Sequence, residues 1–234
     1  MKLQIKDMFK AYGDLQVMKG FNIDFSAAGI HCVFGPSGCG KTTLLNILTG
    51  IDRADRGEVS GFKDKTFSCI FQEDRLLPWS TVEENIQFVL ESCREKREIQ
   101  DNVDRYLALV DLVRFKDCYP EQLSGGMKQR ASIARAFAYG GDVLLMDEPF
   151  KGLHFELKKD LMDYLIQYWN QKSQFFIFIT HDIEEALYMA DHIHILEGPP
   201  LQLKNQITIQ IHQNQRAQKK DEMEVYRELL LGKP

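Results

Sequence analysis

The chain has 234 residues, of which 44% are hydrophobic and 27% are charged, so it can bury a sizeable core as one large domain, with or without an inserted lobe. The net charge of −5 argues against a nucleic-acid-binding protein, because such proteins usually carry a basic surface. The five cysteines form no CxxC pair, which indicates neither a disulfide framework nor a zinc site and is typical of a reducing cytoplasm.

Strand patterns of two kinds occur in the chain. The N-terminal segments LQIKDMF and FNIDFS alternate polar and apolar residues, as do strands with one face in water. The segments IHCVFG, VLLMDEP and FFIFITH are continuous apolar runs, which are typical of parallel strands covered on both faces and are too short to span a membrane. We therefore expect an α/β fold with a mostly parallel sheet and an N-terminal antiparallel β portion.

Helical patterns replace the strand patterns between residues 78 and 139. The segment STVEENIQFVLESC begins with Ser80 and Glu83 at the spacing of a capping box. We predict that residues 78–139 form an α-helical lobe inserted into an α/β nucleotide-binding core of residues 1–77 and 140–234, all within a single domain. The segment after residue 203 carries no motif that indicates a function.

The segment GPSGCGKTT fits the phosphate-loop pattern GxxxxGK[ST], and it lies between an apolar strand and a helical segment. Such a loop turns backbone N–H groups toward phosphate oxygens at a helix N-terminus. Lys41 would place its charge at the outer phosphates, and the hydroxyl of Thr42 could bind Mg²⁺. A glycine turn without a ligand is the weaker alternative in this context. The predicted phosphate ligands here are Gly35, Pro36, Ser37, Gly38, Cys39, Gly40, Lys41, Thr42 and Thr43.

Two carboxylates, Asp147 and Glu148, follow the apolar run VLLM. The carboxyl ends of parallel strands form the ligand-binding edge of open α/β sheets. One carboxylate could hold Mg²⁺ through its water shell, and the next could polarise an attacking water molecule. A solvated acidic turn is the alternative, but it is less expected in a chain with a phosphate loop.

The segment LSGGMKQR, residues 123–130, is a second candidate for binding phosphate. Ser124 is a favourable N-cap, and Gly125 and Gly126 leave N–H groups exposed at the positive end of the helix that follows. By itself this pattern predicts only a capped helix. The other motifs of the chain favour a helix end that contacts a γ-phosphate.

These motifs resemble those of the ATPase subunits of ATP-binding cassette (ABC) transporters. The Walker A loop GPSGCGKTT, the signature LSGGMKQR, the Walker B strand VLLMDEP and the THD of residues 180–182 occur in the family's order. The likeness covers essentially the whole chain and implies a P-loop NTPase (RecA-like) core. The segment FQEDRLLPWSTVEENI further resembles the subgroup that serves nitrate, sulfonate and taurine importers.

The resemblance implies a head-to-tail homodimer in which each chain contributes to two ATP sites. The signature of one chain, through Ser124, Gly125, Gly126 and Gln129, would contact ATP on the Walker A loop of the other. Within a site, the resemblance assigns adenine stacking, catalysis and metal binding to particular residues. Tyr12 would stack on adenine; the catalytic residues would be Glu148 as general base, His181, Gln72 and Lys41; and Mg²⁺ would be held by Thr42, Gln72 and Asp147.

The resemblance also implies the partners and the location of the chain. ATP hydrolysis would drive small-solute import through integral membrane permease subunits, which would dock near Gln72 and residues 76–79. An extracytoplasmic solute-binding protein would act through the permease, and nucleic acid is not an expected partner. The chain would then lie peripherally on the cytoplasmic face of the membrane.

One position departs from the family's pattern. His154 stands where the family usually has an aspartate that reaches across the dimer interface. A degenerate, nucleotide-sensing subunit with weak turnover is therefore an alternative, although Lys41, Asp147, Glu148 and His181 are retained. A P-loop kinase or GTPase, or an ABC ATPase outside transport, is a further alternative. Three further histidines, His31, His192 and His194, match no family position and are expected to be structural.

Overall fold

The structure of the chain, a computed structural model, describes residues 3–25, 29–61, 65–91, 96–172 and 175–232. It divides into two compact units. The first unit consists of Met1–Lys65 and Tyr168–Pro234, and the second of Thr66–Gln167. The proposed separation of residues 78–139 as an inserted lobe stays a prediction.

The described part of the chain contains nine strands and eight α-helices. The strands are β1 (Gln4–Tyr12), β2 (Leu15–Asp24), β3 (Ile30–Phe34), β4 (Arg56–Ser60), β5 (Phe67–Ile70), β6 (Val143–Asp147), β7 (Phe175–Thr180), β8 (His192–Glu197) and β9 (Gln202–Thr208). The α-helices are α1 (Lys41–Leu48), α2 (Val82–Leu90), α3 (Lys96–Leu109), α4 (Gly125–Tyr139), α5 (Phe155–Lys172), α6 (Ile183–Met189), α7 (Gln213–Arg216) and α8 (Lys220–Leu230).

An antiparallel sheet in the order β2-β1-β4 lies in the first unit. A two-residue turn joins β1 to β2, and its Gly13 has a φ of 57°, a conformation that favours glycine. Ile5 and Met8 of β1 point into the core, with 1% and 0% exposure. The predicted N-terminal antiparallel portion is confirmed, and its strands are longer than the sequence pattern indicated.

Parallel strands occur in both units. In the first unit, β3 pairs in parallel with β7 and with β8, while β9 pairs antiparallel with β8. In the second unit, β5 pairs in parallel with β6. All five residues of β6 are buried, as continuous apolar strands covered on both faces should be. The prediction of an α/β fold with mostly parallel strands is confirmed.

The capping box of α2 lies one residue later than the sequence analysis placed it. The hydroxyl of Thr81 accepts a hydrogen bond from Glu84 N, and the Glu84 carboxylate accepts one from Thr81 N at 2.8 Å. The prediction that Ser80 and Glu83 form the box was wrong, because the N–H of Ser80 already donates to Leu77 O in the preceding turn. A capping box requires that N–H to be available.

A cluster of buried histidines lies in the core of the first unit. His31 on β3 and His194 on β8 are both fully buried, and their Nδ1 and Nε2 atoms are 3.0 Å apart. The rings of His192 and Phe25 pack against His31 at 4.9 and 5.5 Å between centroids. Burial, followed by the charges of the neighbouring His31 and His192, lowers the pKa of His194 to about 3. These contacts agree with a structural role.

No helix among the described residues combines the length and the apolar character needed to cross a lipid bilayer.

Candidate active site

The phosphate loop connects the end of β3 to the start of α1, and two of its glycines are required by the backbone. A Cβ at Gly35 would lie 2.5 Å from the carbonyl oxygen of Leu196. Gly40, which precedes α1, has a φ of 113°, a value that side chains other than glycine rarely tolerate. The glycines therefore let the loop turn tightly and leave the backbone uncovered.

Lys41 reaches back into this loop. Its side chain is buried, with 5% exposure of the residue, and its Nζ donates to Gly35 O at 2.8 Å and to Pro36 O at 2.7 Å. The carbonyl groups of the loop itself thus fix the ammonium group inside the loop. Such preorganised charge stabilises a bound phosphate without the cost of reorientation.

The other loop residues divide into an exposed set and a buried one. Pro36, Ser37, Gly38 and Thr42 are exposed, whereas the Cys39 side chain is fully buried, with its Sγ 4.0 Å from the Nζ of Lys41. Cys39 therefore offers its backbone and not its thiol to a ligand.

Tyr12, at the end of β1, is 47% exposed. Its hydroxyl donates to the carboxylate of Asp52, and the Nζ of Lys10 lies 4.7 Å from the centroid of its ring. Sequence reasoning assigned Tyr12 but missed Lys10 and Asp52, because neither belongs to a motif and they are 42 positions apart in the chain.

The carboxylates at the end of β6 differ in their environment. Asp147 is buried, with 2% exposure. Glu148 leaves the strand with a φ of 47°, and its side chain is 12% exposed. The Nζ of Lys151 lies 3.2 Å from its Oε2, and Lys151 N donates to Glu148 O across the same turn. Lys151 was also missed from the sequence, although it is three residues from Glu148.

The signature residues begin α4 as predicted. Ser124 is exposed and its hydroxyl accepts from Met127 N at 3.3 Å, so the predicted N-cap is confirmed. Gln129 points inward: the residue is 6% exposed, and its Nε2 donates to Pro149 O at 3.0 Å. Gln129 thus ties α4 to the loop after Glu148, and its contact with ATP of another chain stays a prediction.

Gln72 and His181 lie just beyond strand ends and are both exposed. Strand β5 ends at Ile70, and Gln72 is in the bend that follows. His181 follows β7 and precedes Asp182, the N-cap of α6, whose side chain accepts from Glu184 N and Glu185 N. The cap fixes the backbone on one side of His181.

His154 precedes α5, and two neighbouring residues contact its Nδ1 in ways that require opposite protonation of that atom. Its Nδ1 accepts from Leu157 N at 3.4 Å, which requires a ring nitrogen without a proton. The same Nδ1 lies 3.3 Å from Glu156 Oε2, a contact that requires a proton. The side chain is 66% exposed.

The site residues predicted from the sequence are divided between the two units. Tyr12, the phosphate loop and His181 belong to the first unit. Gln72, the signature and the Walker B carboxylates belong to the second.

The chain is similar in sequence to known proteins. Residues 18–151 match the ABC transporter family. The nitrate import ATP-binding protein NrtD of Synechocystis sp. is 33% identical over 240 residues, which cover 97% of this chain and 90% of that protein. The aliphatic sulfonates import ATP-binding protein SsuB of Bacillus anthracis is 41% identical over 201 residues, which cover 83% of this chain and 79% of that protein.

Two solved structures share the fold. A dimeric ATP-binding cassette in a post-hydrolysis state, bound to ADP and Pi, has a TM-score of 0.80 at 26% identity and covers 91% of this chain and 100% of that chain. A dimeric bacterial ABC transporter cassette has a TM-score of 0.81 at 25% identity, with the same coverage.

Proposed function

The chain belongs to the ABC transporter family as an ATP-hydrolysing subunit, and we propose that it drives the import of a small anionic solute through a separate membrane permease. The relatives named above import nitrate and aliphatic sulfonates, which share a compact oxyanion group. The preorganised phosphate loop is the observation that carries the ATP-binding part of the proposal, since Lys41 is already held at the loop carbonyls.

Each site residue has a proposed role that fits its surroundings. The backbone of the phosphate loop and Lys41 bind the phosphates, and the exposed hydroxyl of Thr42 and the carboxylate of Asp147 are suitable oxygen ligands for Mg²⁺. Mg²⁺, when bound, would neutralise charge on the phosphate oxygens. Glu148 would accept a proton from the attacking water molecule, and its mostly covered side chain would strengthen that interaction.

The remaining roles follow the same assignment. Gln72 would contact the metal ion and the attacking water, and His181 would contact the γ-phosphate. Tyr12 would stack on adenine, for which its exposed ring is suited.

A head-to-tail homodimer is proposed for the active form. Two of the structural relatives are dimeric. Ser124, Gly125 and Gly126 leave an exposed helix N-terminus at the start of α4, and such an end attracts the γ-phosphate of a nucleotide on the other chain. Permease subunits would place the dimer peripherally at the cytoplasmic face of the membrane, and a solute-binding protein outside would deliver the solute.

The test is the mass in solution of the Glu148→Gln variant, measured by light scattering with ATP and then with ADP. Removing the general base should slow hydrolysis and hold the dimer closed, so we expect a dimer with ATP and a monomer with ADP. The matched control is Glu156→Gln, an exposed glutamate eight residues later, which should hydrolyse ATP like the wild type.

Two outcomes would contradict the proposal. A wild-type chain that binds ATP but does not hydrolyse it would indicate a nucleotide sensor, the alternative that His154 favours. Unchanged hydrolysis in Glu148→Gln would remove Glu148 from the role of general base.

A further inference from the structure

In the first unit, the side chains of Lys10 and Asp52 contact the side chain of Tyr12. We call these three side chains the clamp. The Nζ of Lys10 donates to Asp52 Oδ1 at 2.7 Å, and the hydroxyl of Tyr12 donates to the other carboxylate oxygen. The Nζ of Lys10 also donates to Arg53 O at 2.7 Å. Asp52 therefore binds both neighbours at once, one with each oxygen.

The clamp covers one face of the Tyr12 ring. The Lys10 ammonium lies 4.7 Å from the ring centroid, a cation–π distance, and Lys10 is only 8% exposed. Tyr12 itself is 47% exposed. A planar ligand can therefore stack on the face that Lys10 does not occupy.

The clamp also connects β1 to the helix that follows the phosphate loop. Asp52 N donates to Asn46 O of α1 at 3.0 Å, and the Tyr12 hydroxyl interacts with the side chain of Thr43 in the same helix. Asp55, just beyond the clamp, donates its N–H to Phe9 O and accepts from Ala11 N. The exposed ring is thus fixed relative to α1 by contacts that all lie within the first unit.

The clamp persists over the physiological pH range. The hydrogen bond from Lys10, followed by that from Tyr12, lowers the pKa of Asp52 to about 2. The bond to Asp52 in turn raises the pKa of Lys10. Carboxylate and ammonium therefore both remain charged wherever the protein is folded near neutrality.

We propose that Lys10 and Asp52 are positioning residues for the purine base of the nucleotide, which act by holding Tyr12 in one orientation with one face open. This inference rests on the proposed binding of ATP. A stacking platform held in place before binding loses less conformational entropy when the base arrives. Because every base has a π-face, the clamp should support ATP and GTP alike, and it should not affect a ligand without a base.

The test compares the dissociation constants of ATP, GTP and inorganic triphosphate by calorimetry, in the whole chain. Asp52→Ala should weaken ATP and GTP binding about three- to ten-fold, the range for losing one ordinary hydrogen bond, with triphosphate affinity and kcat at saturating ATP unchanged. Asp52→Asn should restore part of the affinity, because an amide oxygen can still accept from Tyr12.

A second variant separates positioning from folding. Tyr12→Phe keeps the ring and removes only the hydroxyl, so it should lose the same affinity as Asp52→Ala, and the double variant should lose no more. The matched control is Asp163→Ala, which breaks a lysine–aspartate pair of 3.0 Å on the surface of α5 and should leave all three constants unchanged.

The inference fails if Asp52→Ala weakens triphosphate binding as much as ATP binding, or if its effect adds to that of Tyr12→Phe. Neither result bears on ATP hydrolysis by the wild type. Each would therefore overturn the positioning role of Lys10 and Asp52 without overturning the proposed function. A wild-type chain that does not bind ATP would overturn both.

Discussion

The phosphate loop and the loop after β6 each contain a lysine at the proposed site, and they hold it differently. Lys41 is 5% exposed and is held by two backbone carbonyls of its own loop. The side chain of Lys151 is 59% exposed and is held by one carboxylate, that of Glu148. The first cation is therefore fixed by the fold, whereas the second can exchange its partner when a ligand or another chain arrives.

The same contrast extends to the agreement with the family's pattern. The phosphate loop matches that pattern at each position that the backbone geometry requires. The loop of residues 148–154 carries Lys151 and His154, and His154 replaces an aspartate of the family. The affinity of this chain for the phosphates of ATP should thus be similar to that of other family members, whereas its rate of ATP hydrolysis should differ from theirs.

The largest effect is expected for Lys41→Ala. The variant removes a buried cation that two carbonyls orient. It should lower the ATP affinity, and it should lower the hydrolysis rate about 100-fold or more, since such a charge acts in a partly dehydrated site. Calorimetry with ATP and a phosphate-release assay measure the two effects. Lys204→Ala, which removes an exposed lysine paired with Glu197, is the control and should behave like the wild type. Equal loss in both variants would mean that Lys41 has no special role.

A smaller change in the opposite direction is expected for Lys151→Met. The ammonium group of Lys151 occupies one carboxylate oxygen of Glu148 that could otherwise accept from water, so hydrolysis at saturating ATP should rise about two- to five-fold, the range for one ion pair near the surface.

Two further variants make the Lys151 result specific. Lys151→Arg keeps the charge and should keep the wild-type rate. Lys159→Met removes a lysine of the adjacent helix α5 and is the control. A decreased rate in Lys151→Met would mean that the lysine assists hydrolysis, and the contrast between the two loops would fail.

A change of about two-fold is expected for His154→Asp. Aspartate is a good N-cap and carries charge that favours a helix N-terminus, so α5 should keep its start while the family's charge is restored. ATP affinity should stay the same and turnover should rise in a phosphate-release assay. His154→Asn caps the helix without the charge and is the control. Equal turnover in the wild type and the aspartate variant would show that His154 does not limit the reaction.

The smallest effect at neutral pH concerns the buried histidine cluster of the first unit. Because burial lowers the pKa of His194 from 6.5 to about 3, the unfolded chain takes up a proton that the folded chain does not over this interval. The stability contributed by neutral His194 is therefore complete above pH 6.5 and is lost as the pH falls toward 3, by up to about 1.4 kcal/mol for each pH unit.

Replacing this histidine should flatten that pH dependence. In His194→Leu, the free energy of unfolding measured with urea should fall less steeply between pH 6.5 and 4 than in the wild type, even if the variant is less stable at pH 7. His212→Leu, at an exposed position, should keep the wild-type slope. Identical slopes in His194→Leu and the wild type would mean that His194 does not resist protonation.

The sequence was sufficient for most features that depend on local spacing. The continuous apolar runs predicted buried parallel strands, and β3, β6 and β7 are buried throughout most of their length. Ser124 caps α4 as predicted, since capping requires only a hydroxyl three residues before an N–H group. Where two adjacent positions satisfied the same spacing, at the start of α2, the sequence could not choose between them.

The sequence therefore determined the α/β fold, the family of the chain and the candidate residues within its motifs. Only the tertiary structure placed Lys10 and Asp52 on Tyr12, turned Gln129 toward Pro149, and joined His31 to His194. The physical reason is the range of the interaction. Helix caps, strand patterns and glycine turns are set by residues a few positions apart, whereas a salt bridge across 42 positions or a hydrogen bond between parallel strands exists only after the chain has folded.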